Sequence, residues 1–252
     1  MPDPVLYVLP EDHNTKGDQA RKKTLVEFAY CGAINVLLEG SYFHDNSGHS
    51  ANLYGIEEEK SHKGAMAIVN YQRAVRNIKD LQAKLKSAAP SVPAELASAR
   101  NDALNEVSSL AKEKTRRELA QYINLYPALG MNTIQEKYLF YKRNHRMANN
   151  IRTIVQTVLA DPQKPRVFAL SIGAFHIDST NLNPGVLHNG RKDLPTTLGY
   201  SITVGAETVE VKYGDQSLTT IAKTALGLIG NVPWTTRWMA QARLKLYIST
   251  TL

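Results

Sequence analysis

The chain is poor in the residues that build covalently stapled or metal-clustered scaffolds. It holds one cysteine in 252 residues, Cys31. A single thiol permits no intrachain disulfide and no thiolate metal cluster, and its place in an apolar helical pattern reads as a small core residue. No run approaches the roughly 18 apolar residues of a membrane-crossing helix. The amino terminus, Met1-Pro2-Asp3-Pro4, has no basic-then-apolar targeting pattern. A Gly-x-Ser-x-Gly elbow is missing, which removes the strained turn a covalent serine mechanism uses. Zinc-finger, basic-zipper and RNA-binding aromatic patterns are missing too. Acidic residues are the minority charge: 23 Asp and Glu against 30 Lys and Arg leave the chain at +7. That excess does not select nucleic acid. The cations alternate with acids, as in Lys112-Glu113-Lys114-Thr115-Arg116-Arg117-Glu118, and solvated helix faces account for the pattern. An acidic or phosphorylated substrate would suit the charge, which does not choose among them.

What is present suffices for a folded core. Hydrophobic content of 43% and charged content of 21% are ordinary for a globular chain. Its length suits one α/β domain carrying a large insertion.

The strongest local signal is Arg166-Val167-Phe168-Ala169-Leu170-Ser171-Ile172 followed by Gly173-Ala174-Phe175-His176. A compact apolar run of this length reads as an inner parallel strand buried on both faces. It stops at a glycine, which tolerates a sharp turn, and three residues on stands a histidine. In open α/β sheets ligands bind beyond the carboxyl ends of the strands, so His176 is the leading candidate for chemistry. The plain alternative is a hydrogen-bonded loop histidine.

A second such arrangement lies near the start. Residues 5–9 form a strand that stops at Pro10, which cannot donate to a ladder. Glu11, Asp12 and His13 follow. Asp18 caps a helix over 18–29, Gly32 stops it, and residues 34–38 form a second strand ending at Glu39-Gly40. Strand, helix and strand within about forty residues make a βαβ unit with a parallel pair. His44 and His49, in the polar loop that follows, are weaker candidate metal ligands. Tyr54-Gly55-Ile56-Glu57 then leads into helix.

Over about 60–130 helix formers dominate, broken near Pro90 and Pro93 and again near Pro127 and Gly130. Apolar residues at 3–4 spacing predict a long helical hairpin, read as a self-packed insertion or as a partner-binding surface. A helix over 134–159 carries Arg143, Asn144, Met147 and Ala148 before a clear apolar stripe. After a Gly/Pro/Asn-rich loop at 178–190, strands over 200–204 and 208–213 flank Gly205, and 218–229 reads as helix. Trp234, Trp238 and Met239 read as core or packing residues.

If the strands ending in Glu11, Glu39 and His176 are parallel neighbours, Glu11, His13, Glu39 and His176 share one crevice. Two imidazoles with carboxylates suit either of two tasks. They can hold a divalent metal that activates water, with His13, His176 and Glu39 as ligands. Otherwise they pair as general acid and base. Arg143 would steady an anion or orient a carboxylate.

The order of these motifs resembles the EreA/ChaN-like superfamily, which includes the TraB and Tiki proteins. The resemblance spans residues 5 to about 205. It rests on Glu11 and His13, on Leu37-Leu38-Glu39-Gly40, on Gly55 and Glu57, on Arg143-Asn144 with Met147-Ala148, and on Gly173 and His176. It implies a mixed, largely parallel sheet flanked by helices, with a helical hairpin inserted at about 60–130 of one 1–252 domain. It also implies catalytic Glu11, His13, Glu39 and His176, with Glu57, Arg143 and Asn144 in binding roles. Family activities include ester hydrolysis by activated water, metal-dependent proteolysis and haem binding. Size and insertion are similar to HopBA-type effectors that plant-pathogenic bacteria inject into host cells. The resemblance therefore implies a hydrolase-like effector or toxin that triggers host cell death, acting on a host protein or small molecule. A non-catalytic scaffold that binds host proteins and a haem- or metal-binding protein are the alternatives. One position departs from the family: Pro10 stands where glycine is usual. Proline has no amide N–H, so an anion contact through that amide is lost.

Overall fold

The computed structural model describes residues 3–12, 15–43, 52–87, 142–177, 193–229 and 232–251, with scattered helical residues between 98 and 117. His13, His44, His49, most of the second hairpin arm and the 178–190 loop lie outside the described residues. The chain divides into two compact units, Met1–Glu59 with Phe140–Leu252, and Lys60–Leu139. In the second unit the described segment is a long helix, α2 (Glu59–Ser87). The helix residues between 98 and 117 also belong to it.

The first unit is a mixed, largely parallel sheet of six strands in the order β3-β2-β4-β1-β6-β5. Its strands are β1 (Val5–Glu11), β2 (Asn35–Tyr42), β3 (Leu53–Glu57), β4 (Val167–Gly173), β5 (Ser201–Val204) and β6 (Glu207–Tyr213). Every neighbouring pair is parallel except the β5–β6 hairpin, which turns through Gly205 at φ +59°. All seven residues of β4 are buried, as a doubly covered inner strand requires.

Alternation sorts the strand side chains between two cores. Val5, Tyr7, Leu9, Val36, Val167 and Ala169 pack with α1 (Lys16–Tyr30) and with two later helices described below. Leu6, Val8, Leu37, Phe168, Leu170 and Ile172 face the other way, toward Met147, Ala148, Ile151 and Val155 of α3 (Lys142–Leu159). The buried positions of α3 recur at three- and four-residue spacing from Asn144 to Val158, so one stripe meets the sheet. A short helix, α4 (Leu194–Leu198), is capped by Asp193 and joins the α3 layer. On the opposite face α5 (Leu218–Leu228) and α6 (Trp234–Thr251) pack beside α1.

The structure moves several sequence-derived boundaries. β1 continues through Pro10 to Glu11 rather than stopping at the proline. Its ladder with β6 ends at Val8↔Tyr213. The Val8 carbonyl accepts from the Gly214 N–H at 3.1 Å. Pro10, two residues on, points to that same side beyond the last rung, so its missing donor costs no ladder bond. The α1 cap is Thr15, not Asp18: its side chain accepts from the Asp18 N–H. Asp18 Oδ2 in turn accepts from the Asp12 N–H at 2.7 Å. Cys31 is half-buried at the C-cap of α1, and its free thiol is pushed up by burial.

β2 runs on past Glu39-Gly40 to Tyr42, with an irregular register against β3 between Leu38 and Tyr42. There the backbone crowds Gly55, where a Cβ would lie 2.1 Å from the Tyr42 carbonyl oxygen. Residues 54–57, read as a lead-in to helix, belong to the edge strand β3.

Trp234, Trp238 and Met239 correct the expectation of packing residues. They are 77%, 65% and 50% exposed, whereas Ala240 and Leu244 carry the buried side of α6. A compositional reading assigns tryptophan to the core by its size, but these three share the face turned away from the sheet.

Candidate functional site

β2, β4 and β1 are adjacent and parallel, so Glu39, Gly173 and Glu11 reach the same carboxyl edge. β3 lies beyond β2 and contributes Glu57 at its last position. Across this edge lies the first described turn of α3, with Arg143 and Asn144. His176 comes from a 3-10 turn, Ala174–His176, that closes β4.

These side chains form one hydrogen-bonded cluster. Arg143 Nε donates to both Glu57 carboxylate oxygens, at 3.0 and 3.1 Å. Its Nη2 donates to Glu57 Oε1 at 2.5 Å and to Glu39 Oε1 at 2.8 Å. The Gly173 N–H donates to Glu39 Oε2 at 2.6 Å. His176 Nε2 lies 3.0 Å from Arg143 Nη1 and 3.3 Å from Glu39 Oε1. Its Nδ1 lies 2.5 Å from Asn144 Oδ1. Asn144 and Glu57 are fully buried and His176 is 5% exposed.

A guanidinium only donates, so the Nε2 that meets Nη1 accepts when the ring is neutral. The proton then sits on Nδ1 and is donated to Asn144. Protonation of Nε2 would instead supply a donor to Glu39 and set two donors against each other across the Arg143 contact. Two carboxylates and one guanidinium leave one negative charge, which an imidazolium would balance. His176 therefore has a bonding partner in either state, and Asn144 holds the ring in place.

The Glu39 charge is well supported. Burial by itself would push the Glu39 carboxyl up. The hydrogen bond and charge of His176, the Arg143 guanidinium and the Gly173 N–H outweigh it and hold Glu39 well below the usual carboxylate range. For Arg143, burial disfavours the charge, but Glu57 and then Glu39 outweigh it and raise the guanidinium.

Glu11 belongs to a neighbouring group on the other face of the sheet. It continues the face of Val5, Tyr7 and Leu9, accepts from the buried Ser171 hydroxyl through Oε2, and has Lys22 Nζ of α1 at 3.8 Å from Oε1. Thus Glu39, Glu57, Arg143, Asn144 and His176 come together on the α3 side, with Glu11 across the edge. Ser171 was missed by the motif reading, although it is the one polar residue in the run 167–172. Such a residue inside a doubly buried strand demands a partner. Asn35 was missed for the same reason. It is buried and donates through Nδ2 to the Pro165 carbonyl at 2.7 Å, tying β2 to the chain entering β4.

Among the described residues no three His, Cys, Asp or Glu side chains are grouped to hold a metal ion. Glu39 and His176 converge on Arg143, and that guanidinium is the cation between them. Among the described residues this set does not make a divalent-metal site; His13, the other expected ligand, lies outside them. Among the described residues, too, no helix is long and apolar enough to cross a membrane. No family model, curated protein or solved structure matches this chain.

Proposed function

We propose that the carboxyl-edge cluster is the reactive centre of a hydrolase-like protein that cleaves an ester, amide or phosphate-type bond with an activated water. The observation that carries this reading is the position of His176 Nε2, between a guanidinium at 3.0 Å and a carboxylate at 3.3 Å. In the proposed reaction Nε2 accepts the water proton as the oxygen attacks the carbonyl or phosphoryl centre. The imidazolium is then stabilised by Glu39 and returns the proton to the leaving group. Arg143 is anchored through Nε and Nη2 to Glu57 and Glu39. Its Nη1, the nitrogen turned to the ring, is the one a developing oxyanion would take. The resemblance to the EreA/ChaN-like superfamily supports the same chemistry. Its injected members extend the proposal to an effector or toxin delivered by a bacterium into a host cell, where it triggers cell death.

A non-catalytic scaffold recognised by host proteins is the second reading. It is favoured by the way the buried groups of the cluster satisfy one another, Glu57 being 0% exposed.

The test is hydrolysis of a panel of carboxylic esters, peptides and phosphate esters by the wild type and by Glu39→Gln and His176→Gln. Circular dichroism would verify the fold of each variant. Loss of about 10²–10⁴-fold in turnover with the fold intact supports general acid–base work at this pair. Full activity in folded His176→Gln overturns it. A wild type inert on every substrate, whose variants keep the biological effect, establishes the scaffold reading.

A further inference from the structure

The last helix is apolar on two sides. Inward, Ala240 and Leu244 are buried, and Tyr247 meets Phe28 edge-to-face at 5.2 Å. Outward, Trp234, Trp238, Met239 and Leu246 are between 50% and 77% exposed. Their spacing puts them on one continuous face: 234, 238, 242 and 246 follow at four-residue steps, with 239 alongside. An exposed row of this kind normally marks a contact surface, because exposing it to water is unfavourable.

Along α5 and α6 every charged side chain is a cation, although Glu27 of α1 pairs with Arg243 and Asp161 borders the same cavity as Met239. Residues 218–251 hold Lys223, Arg237, Arg243 and Lys245 and not one Asp or Glu, in a chain with 23 acids in 252 residues. Lys245 stands exposed beside Leu246. Two copies meeting through this face would bring like charges together, which disfavours self-association.

We infer that the exposed Trp234–Trp238–Met239–Leu246 face of α6, with its flanking cations, docks on an anionic lipid membrane surface. Tryptophan prefers the boundary between headgroups and acyl chains, and long basic side chains reach past an apolar face to the phosphates. Such a helix lies in the interface plane and does not cross it. This surface is formed by α6, across the sheet from α3, and is independent of the hydrolase reading.

The chain contains only two tryptophans, both on this face, so their fluorescence reports on it alone. The experiment adds the 252-residue protein to phosphatidylcholine vesicles with and without phosphatidylserine, and follows tryptophan emission and co-sedimentation. Expected is a blue shift and sedimentation with the phosphatidylserine vesicles that weaken with added salt. Lys245→Glu should reduce binding by about tenfold, and so should Met239→Ser with Leu246→Ser, which keeps both reporters. No shift with anionic vesicles overturns the inference. So does equal binding to pure phosphatidylcholine, which would remove the role of charge. An equal response to soluble polyglutamate would assign the face to an acidic protein instead. Protein-concentration-dependent dimerisation without vesicles would assign it to a second copy.

Discussion

Replacing Arg143 by methionine strands two buried carboxylates, and the consequence depends on pH in a way that can be worked out. Glu57 is 0% exposed and the Glu39 side chain 6%, and both are bonded to this guanidinium. Removing one partner of a buried ion pair costs about 3–5 kcal/mol, because the remaining charge loses attraction without regaining water. In the wild type the Glu39 carboxyl is depressed below its ordinary value of 4.5. It therefore contributes stability that is present above that value and lost as pH falls through the folded value. In Arg143→Met the guanidinium no longer helps His176 and the Gly173 N–H to oppose burial, so the Glu39 carboxyl moves upward. The folded variant then takes up protons more readily than the folded wild type, so its deficit narrows on acidification. Urea unfolding followed by circular dichroism at pH 7.5 and 5.5 measures the difference directly. Adding Glu57→Gln to the variant removes one stranded charge and should recover about 1–3 kcal/mol at pH 7.5. A variant within about 0.5 kcal/mol of wild type at pH 7.5, or one whose penalty grows on acidification, would refute the electrostatic account.

Other outcomes follow from single contacts. Gly55→Ala forces a Cβ to within 2.1 Å of the Tyr42 carbonyl oxygen and 2.8 Å of the Ser41 carbonyl carbon. Backbone must shift, and thermal melting should show a loss of about 2 kcal/mol or more. Gly17→Ala meets nothing within 4 Å and is helical, so the same measurement should find it neutral or stabilising by up to about 1 kcal/mol. Thr15→Ala removes the hydroxyl that accepts from Asp18 N–H at 3.3 Å; a loss of about 1 kcal/mol in chemical unfolding is expected. Ser171→Ala leaves the Glu11 carboxylate without its hydroxyl partner, and the same assay should register about 1–3 kcal/mol.

The α/β architecture was legible because its signals are local and periodic. An apolar run at 167–172 bounded by Gly173 can only be satisfied by cover on both faces. The 3–4 spacing from Met147 to Val158 makes one stripe. Gly32, at φ +76°, ends α1 where a left-handed residue is needed. The pairing of β2, β4 and β1 was stated as a condition, and adjacency of those strands then brings Glu39 and His176 together without further assumption. What sequence could not settle depends on neighbours distant along the chain. Pro10 reads as a stop until the ladder with β6 is seen to end at Val8. Glu11 and Glu39 both close strands, yet the alternation of the pleat sends them to opposite faces of the sheet. Trp234 and Trp238 look like core residues by size, and only the packing of Ala240 and Leu244 turns them outward. Sequence by itself determined the main strands and helices and the α/β class, since those follow from side-chain period and backbone preference. Tertiary structure alone decided which charges meet. The cation between Glu39, Glu57 and His176 is Arg143, because a helix 86 residues beyond Glu57 crosses the carboxyl edge at that point.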